Sequence, residues 1–254
     1  MSEWDASTYG EMIAEVYDTW YSAFDSEAVA ECLADLAGEG PVLELAIGTG
    51  RVALPLVRRG IEVHGIDASE AMVAKLRQKP DGDAIPVTIG DLKDVDVDGS
   101  FSLVFIVFNT IFCLLTQDEQ VECFRNVSKK LCEGGLFVVE GFVPDLTRFD
   151  RNQRFAVEAI EDDGVRIEAS HHDPSKQQVE SRHILLTERG AKFYPLKIRY
   201  AYPAELDLMA RLAGLKLRER WGGWRRDSFT AMSTTHVSVY EKAETSYTPI
   251  YRVR

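Results

Sequence analysis

Residues 42–50 read Val42-Leu43-Glu44-Leu45-Ala46-Ile47-Gly48-Thr49-Gly50, a short apolar strand that runs into a glycine-rich turn. Glycines there let the backbone approach a ligand closely. The helix predicted over 51–59 points its N-terminal amides at the same place. Reading outward, Ile61 to Ile66 form a second strand closed by Asp67, and Ser69 is placed to cap a helix over 70–79. Val87-Thr88-Ile89 makes a third strand, followed by Gly90-Asp91. Residues 101–108 are nearly all apolar, as a central parallel strand buried on both faces must be. Thr116 and Glu119 form a capping box that opens a helix over 117–132, and Gly134-Gly135 end it before a fifth strand, Leu136 to Glu140. Strands alternating with helices at this spacing predict an α/β fold with a doubly wound, mostly parallel sheet.

On the N-terminal side, Ile13, Val16, Tyr17, Trp20, Phe24 and Val29 recur at helical spacing, so residues 9–37 read as one or two helices. After Pro144 the pattern changes. Four alternating runs over 155–200 are separated by Asp162-Asp163-Gly164, Asp173-Pro174-Ser175 and Glu188-Arg189-Gly190, which predicts an antiparallel β-meander insertion. Pro203 opens a further helix and Gly214 closes it. Leu215 to Arg220 and Thr235 to Tyr240 read as last strands, and the tail after Lys242 reads as polar and loose.

The net charge is −12, and no Lys/Arg run is long enough for the basic stripe that a nucleic-acid binder carries. Arg218, Arg220, Arg225 and Arg226, interleaved with Trp221 and Trp224, suit an anionic small substrate better, such as a phosphorylated one. The four cysteines form no CxxC pair, which argues against a zinc or redox site. No secretory signal and no membrane-length apolar run is present, so the reading is a cytoplasmic protein with no membrane partner.

The carboxyl ends of the strands are where an open α/β sheet binds its ligand. Asp67 stands there to accept hydrogen bonds from two ribose hydroxyls, and Asp91 to accept from an adenine amino group. Gly48-x-Gly50-x-x-Ala53 also fits a dinucleotide pattern, which keeps an NAD-linked oxidoreductase open. Glu44 argues the other way. It lies inside the first strand, where a carboxylate needs a polar partner, and a cationic part of a ligand would provide one.

As a set, Glu44-x-x-x-Gly48-Thr-Gly50, Asp67, Gly90-Asp91, Phe108-Asn109-Thr110 and Gly134-Gly135 resembles the class I S-adenosylmethionine (SAM)-dependent methyltransferases over about residues 40–141. The resemblance implies a Rossmann-like, seven-stranded sheet whose final strand is antiparallel, with SAM as cofactor. It implies that the loop from Glu44 through Ala46 to Gly50 holds the methionine portion and Asp67 the ribose. Ala68 and Met72 would flank the adenine and Asp91 would read it, with Leu92, Phe108 and Asn109 completing the cofactor contacts. More narrowly, Val16-Tyr17-Asp18, Val138-Val139-Glu140 with Pro144, the Ser170-His171 strand and the meander are similar to the nucleotide-linked amino-sugar N,N-dimethyltransferases of macrolide biosynthesis. In that likeness Tyr17 closes over SAM and Glu140 is an active-site carboxylate. Those enzymes carry His or Tyr after the fourth strand, where this chain reads Asn109-Thr-Ile-Phe112-Cys113.

The expected activity is methyl transfer to a nitrogen or oxygen of a small molecule, a natural-product or sugar intermediate. A SAM-binding cyclase or binding module is the alternative. Glu140 is the first candidate to take the nucleophile's proton. His171 is the second; alternation sends His171 and His172 to opposite faces of their strand, so at most one of them meets the cleft. Tyr9, Tyr17, Trp20 and Phe142 are candidate pocket walls, and Cys113 reads as a small buried hydrophobe. No metal is expected, since Asn109 stands where metal-dependent relatives would place carboxylates. The expected partners are a small-molecule substrate, phosphorylated or nucleotide-linked acceptors being open, and a second copy in a homodimer. The chain divides into 1–144 (N-terminal helices and SAM-binding core), 145–202 (β insertion as substrate lid), 203–242 (helix and strands completing the sheet) and 243–254 (tail).

Overall fold

The computed structural model describes residues 4–242. Three helices come first, α1 (Thr8–Ile13), α2 (Tyr17–Trp20) and α3 (Ser26–Ala37), where periodicity alone predicts one or two. Asp25 caps α3 by accepting from the Ala28 amide. The alternating core follows as β1 (Val42–Leu45), α4 (Ala53–Arg58), β2 (Val63–Asp67), α5 (Glu70–Arg77), β3 (Val87–Ile89), β4 (Phe101–Ile106), α6 (Gln117–Lys130) and β5 (Leu131–Phe142). The meander is β6 (Gln153–Glu161), β7 (Gly164–Asp173), β8 (Gln178–Thr187) and β9 (Gly190–Arg199). Then come α7 (Pro203–Leu212), β10 (Leu215–Trp221) and β11 (Thr235–Lys242). The tail reading for 243–254 lies outside the described residues.

The main sheet has seven strands in the order β10-β11-β5-β4-β1-β2-β3. Its pairings are parallel except that β11 runs antiparallel to both neighbours. Successive residues of the central strands serve opposite faces. Val42, Leu103, Phe105 and Val138 pack with residues of α3 and α4, whereas Leu43, Val104, Ile106 and Phe137 pack with α6 and α7. Each such side chain contributes about 1.5–3 kcal/mol on burial, which is why these strands carry almost no polar residues. The connections reverse direction between β1 and β4, and a crevice opens where their carboxyl ends part.

Two boundaries differ from the sequence reading. Gly134-Gly135 do not end α6. The helix stops at Lys130 and the glycines lie inside β5, beside a register shift opposite Phe101 and Leu103. An extended Leu131 with ψ of 137° already terminates the helix. The fourth strand ends at Ile106, because Phe108 (φ 59°) and Asn109 (φ 64°) turn left-handed.

The meander forms its own four-stranded antiparallel sheet in the order β6-β7-β8-β9, with hairpins at the turns read from the sequence. One face is unusually polar for buried surface. Glu168 pairs with Arg154 and accepts from Ser170 Oγ at 2.5 Å, and Ser170 and Ser181 hydroxyls meet at 2.9 Å.

Gly50 is fixed by packing. Its φ is +75°, and a Cβ there would lie 2.3 Å from Leu76 Cδ1. Gly50→Ala is therefore expected to cost roughly 2–4 kcal/mol, combining left-handed strain with overpacking. Urea unfolding measures this, and an unchanged midpoint would show that Leu76 yields freely.

Candidate active site

A cavity of about 610 Å³ lies against the carboxyl ends of β1, β2 and β4, within the roughly 300–1,000 Å³ range of small-molecule sites. Its floor is the turn after β1. Ala46 (φ 56°) and Gly48 (φ 57°) are left-handed there, so the chain doubles back and exposes amides. The Gly48 amide donates to Asp67 Oδ2 at 2.7 Å and the Ser69 amide to Oδ1 at 2.8 Å. Asp67 thus ties the turn to the end of β2 and keeps further lone pairs for a ligand. Burial raises its pKa.

Glu44 is 3% exposed and lines the cavity, and its Oε2 has no hydrogen-bond partner among the described residues. Burial first, and the neighbouring Asp67 second, push its carboxyl well above the ordinary range; Arg51 works against them. The Arg51 guanidinium is walled by the rings of Tyr17 (4.6 Å), Phe108 (4.6 Å), Phe24 (4.9 Å) and Tyr21 (5.6 Å), and its buried Nη2 also lacks a partner. A carboxyl and a guanidinium, each incompletely satisfied, therefore share one cavity wall.

Of the residues expected at a cofactor site, Tyr17, Glu44, Ala46, Gly48, Asp67, Ala68, Met72, Asp91, Leu92, Phe108 and Asn109 all line this cavity. Gly50 does not; its place is taken up by Leu76. Tyr9 and Phe142 also line it, whereas Trp20 packs edge-on against Tyr194 instead. Cys113 reaches the wall with a thiol that burial pushes up to about 12, so it is protonated at neutral pH.

The N-terminal helices cover the site through contacts that sequence periodicity does not reveal. Asp18 accepts from Thr49 Oγ1 at 2.6 Å and pairs with Lys79 at 2.6 Å, while Lys79 also donates to the Thr49 carbonyl. Glu11 accepts from Ser69 Oγ at 2.8 Å and from the Ala71 amide at 3.0 Å. Gly10 allows the close approach, because a Cβ there would lie 2.5 Å from Ser69 Cβ.

Both residues expected to act on the nucleophile's proton stand elsewhere. Glu140 does not line the cavity. Its carboxylate accepts from the Phe108 amide, and with Asn109 Oδ1, which accepts from the Phe142 amide at 2.7 Å, it pins the left-handed turn after β4 to β5. His171 faces outward, exposed in a shallow groove with Arg182 and Phe155. The register explains this: β7 presents Glu168, Ser170 and His172 on its inner face, opposite His183, Ser181 and Val179 of β8. The histidine at the cavity is His183, paired with Glu158; the sequence offers no signal for it without the strand register. The arginines read as an anion site are ion-paired within the fold and line no part of the cavity. Arg220 pairs with Asp207, Arg218 with Glu241, Arg225 with Asp25 and Arg226 with Asp35.

Residues 42–135 match the model of a family described as a methyltransferase domain. The chain is 45% identical to the CcbJ methyltransferase of Streptomyces caelestis, with a TM-score of 0.90, covering 94% of this chain and 100% of that one. It is 27% identical to the cypemycin N-terminal methyltransferase of a Streptomyces species, over 94% of this chain and 99% of that one. It is also 27% identical to the dTDP-4-amino-2,3,4,6-tetradeoxy-D-glucose N,N-dimethyltransferase of Saccharopolyspora spinosa, over 53% of this chain and 56% of that one. No helix of the described residues is long and apolar enough to cross a membrane.

Burial pushes the Glu140 carboxyl up to about 7 from 4.5, although the Phe108 amide opposes the shift. A raised folded-state pKa means that the folded protein holds the proton more tightly, so Glu140 costs stability as pH rises from about 4.5 to about 7, by about 3 kcal/mol in all. Glu140→Gln lacks this loss. Its stability relative to wild type is expected to improve by about that much between about pH 4 and pH 8. Urea unfolding at the two pH values checks it; a constant difference would place Glu140 in contact with water.

Proposed function

The chain belongs to the class I SAM-dependent methyltransferases, and we propose that it methylates an amine nitrogen of a small natural-product intermediate. The observation that carries this reading is the pair of unpartnered atoms, Oε2 of the Glu44 carboxyl and Nη2 of the Arg51 guanidinium, on one cavity wall. A zwitterionic amino-acid end complements both. Its ammonium meets Glu44 and its carboxylate meets Arg51, each through charge-assisted hydrogen bonds. Asp67 takes the ribose hydroxyls, Met72 and Ala68 pack on the adenine, and Asp91 takes the adenine amino group.

Bound there, SAM supplies a methyl group on a sulfonium, the electrophile of the reaction. The protein's part is to hold an acceptor in line with the carbon–sulfur bond and to exclude water. Tyr9, Tyr17 and Tyr21 over the floor supply an apolar cover that does the second. Burial raises the pKa of all three phenols, so none is an anionic base at neutral pH. Cys113 is protonated as well, and an amine, which carries its own lone pair, needs none of these groups to deprotonate it before transfer. Two relatives, the cypemycin N-terminal methyltransferase and the amino-sugar N,N-dimethyltransferase, point the same way.

The test is titration calorimetry with SAM, followed by assay of S-adenosylhomocysteine formation against a panel of amino sugars and peptide N-termini. No binding at millimolar SAM would overturn the reading. The raised pKa of Glu44 sets a further expectation. An ammonium stabilises the ionised carboxylate, so SAM binding releases a proton and affinity weakens as pH falls, beginning above the usual carboxylate range. Glu44→Gln should bind SAM at least about tenfold more weakly and lose this dependence, since about 1.4 kcal/mol corresponds to one charge-assisted bond. Proton release is read from calorimetry in two buffers of different ionisation heat; an unchanged release in Glu44→Gln would assign the proton to another group.

A further inference from the structure

The meander brings a second polar pair to the cavity wall. His183 Nδ1 lies 3.0 Å from both carboxylate oxygens of Glu158, and Arg166 Nε lies 3.3 Å from the same carboxylate. Both His183 and Glu158 line the cavity. His183 is 8% exposed, and its other ring nitrogen, Nε2, has no partner among the described residues. The buried His172 differs, since its Nε2 is satisfied by the Tyr200 hydroxyl at 2.9 Å. His236 also leaves Nε2 unpartnered, but it is not on the cavity wall.

The protonation pattern follows from Glu158. Burial is the largest influence on its carboxyl and raises the pKa, but the hydrogen bond from His183 and the guanidiniums of Arg166 and Arg154 outweigh it and hold the group ionised. A carboxylate has no proton to donate, so Nδ1 carries the hydrogen and donates it. In the neutral ring Nε2 then keeps a free lone pair, on a residue that lines the cavity. Arg166 is itself fixed, with its guanidinium 4.5 Å above the Trp20 ring, so the carboxylate between Arg166 and His183 is held from two sides.

We propose that His183, oriented by Glu158, is the group that takes up the proton the acceptor nitrogen must shed. The proposal rests on the methyl-transfer reading above. The acceptor's lone pair forms the bond to the methyl carbon, the carbon–sulfur electron pair stays with sulfur, and one proton leaves the nitrogen for Nε2. The resulting imidazolium is stabilised by the Glu158 carboxylate. His183 is then a catalytic residue and Glu158 a positioning residue. An aliphatic ammonium entering this largely apolar cavity loses hydration, which lowers its pKa toward that of an imidazole and makes the transfer feasible.

The first test needs no acceptor. Ring-nitrogen NMR of ¹⁵N-histidine-labelled protein, with His183 assigned by its loss in His183→Asn, should show Nδ1 protonated and Nε2 bare at neutral pH. Glu158→Gln should lose that preference and Glu158→Asp should keep it. A proton on Nε2 of the wild type overturns the proposal. The second test uses the amine acceptor found in the panel above. His183→Asn retains a donor toward Glu158 and removes Nε2, so kcat should fall about 100-fold while the SAM dissociation constant stays within about twofold. A kcat within twofold of wild type overturns the proposal. Failure of wild-type protein to bind SAM would instead sink the methyl-transfer reading, and the ring spectrum would still judge the pair.

Discussion

A carboxylate inside a central strand is the constraint on which the rest of this structure depends. Glu44 is flanked by Leu43 and Leu45, both essentially unexposed, and an unpartnered charge there either costs several kcal/mol or takes up a proton. The topology makes the residue tolerable. β1 lies at the point where the strand order reverses, so its carboxyl end opens on a cavity instead of packing under a helix. Arg51, one turn later, supplies the opposite charge. Arg51 in turn needs walls, and they come from distant segments: Tyr17, Tyr21 and Phe24 from the N-terminal region, Phe108 from the end of β4. One buried charge thereby organises three parts of the chain around a single site.

The Phe108 wall has its own cost. Two consecutive non-glycine residues in the left-handed region, Phe108 and Asn109, store about 1–3 kcal/mol each. Their geometry persists because Glu140 and Asn109 hold both sides of the turn against β5. Glu140 is thus a structural brace whose own burial destabilises the protein at high pH, a local weakness that supports the placement of a cavity wall. Its position at a strand end resembles that of an acid–base residue, and only the direction of its side chain separates the two roles.

The difference between what sequence reveals and what it hides follows from this arrangement. The first strand, its glycine turn, Asp67 and the Gly90-Asp91 exit are local patterns, and the cavity contains nearly all of them because local geometry fixes where they point. The capping box of Thr116 and Glu119 and the Pro203 helix start are equally local, and both stand where they were read. His183 was not legible. Which face of the meander meets the cavity depends on the pairing of β7 with β8, and on the shift between Val157 and Ala159 that turns Glu158 toward His183. One residue of slip would exchange His171 and His172 between faces, and sequence alternation gives the parity without the sign. Gly50 fits the glycine pattern of a ligand loop, yet its constraint is Leu76, a contact across the fold.

The two walls of the cavity differ in what holds them. The meander side is tied by groups withdrawn from water, with Glu168, Ser170 and Ser181 bonded to one another beneath the surface, and losing one partner there leaves another buried and unsatisfied. The N-terminal cover is tied by half-exposed pairs, Lys79 with Asp18 and Lys75 with Glu15, each contributing about 0–1 kcal/mol. Two of the cover's hydrogen bonds end on Thr49 and Ser69, in the same two turns that Asp67 clamps together. The weaker wall is therefore coupled to the floor turn it covers, so the seating of the helices and the shape of the turn are set together. The meander side, braced by buried polar contacts, also meets that cover directly, through Trp20 against Tyr194 and Arg166.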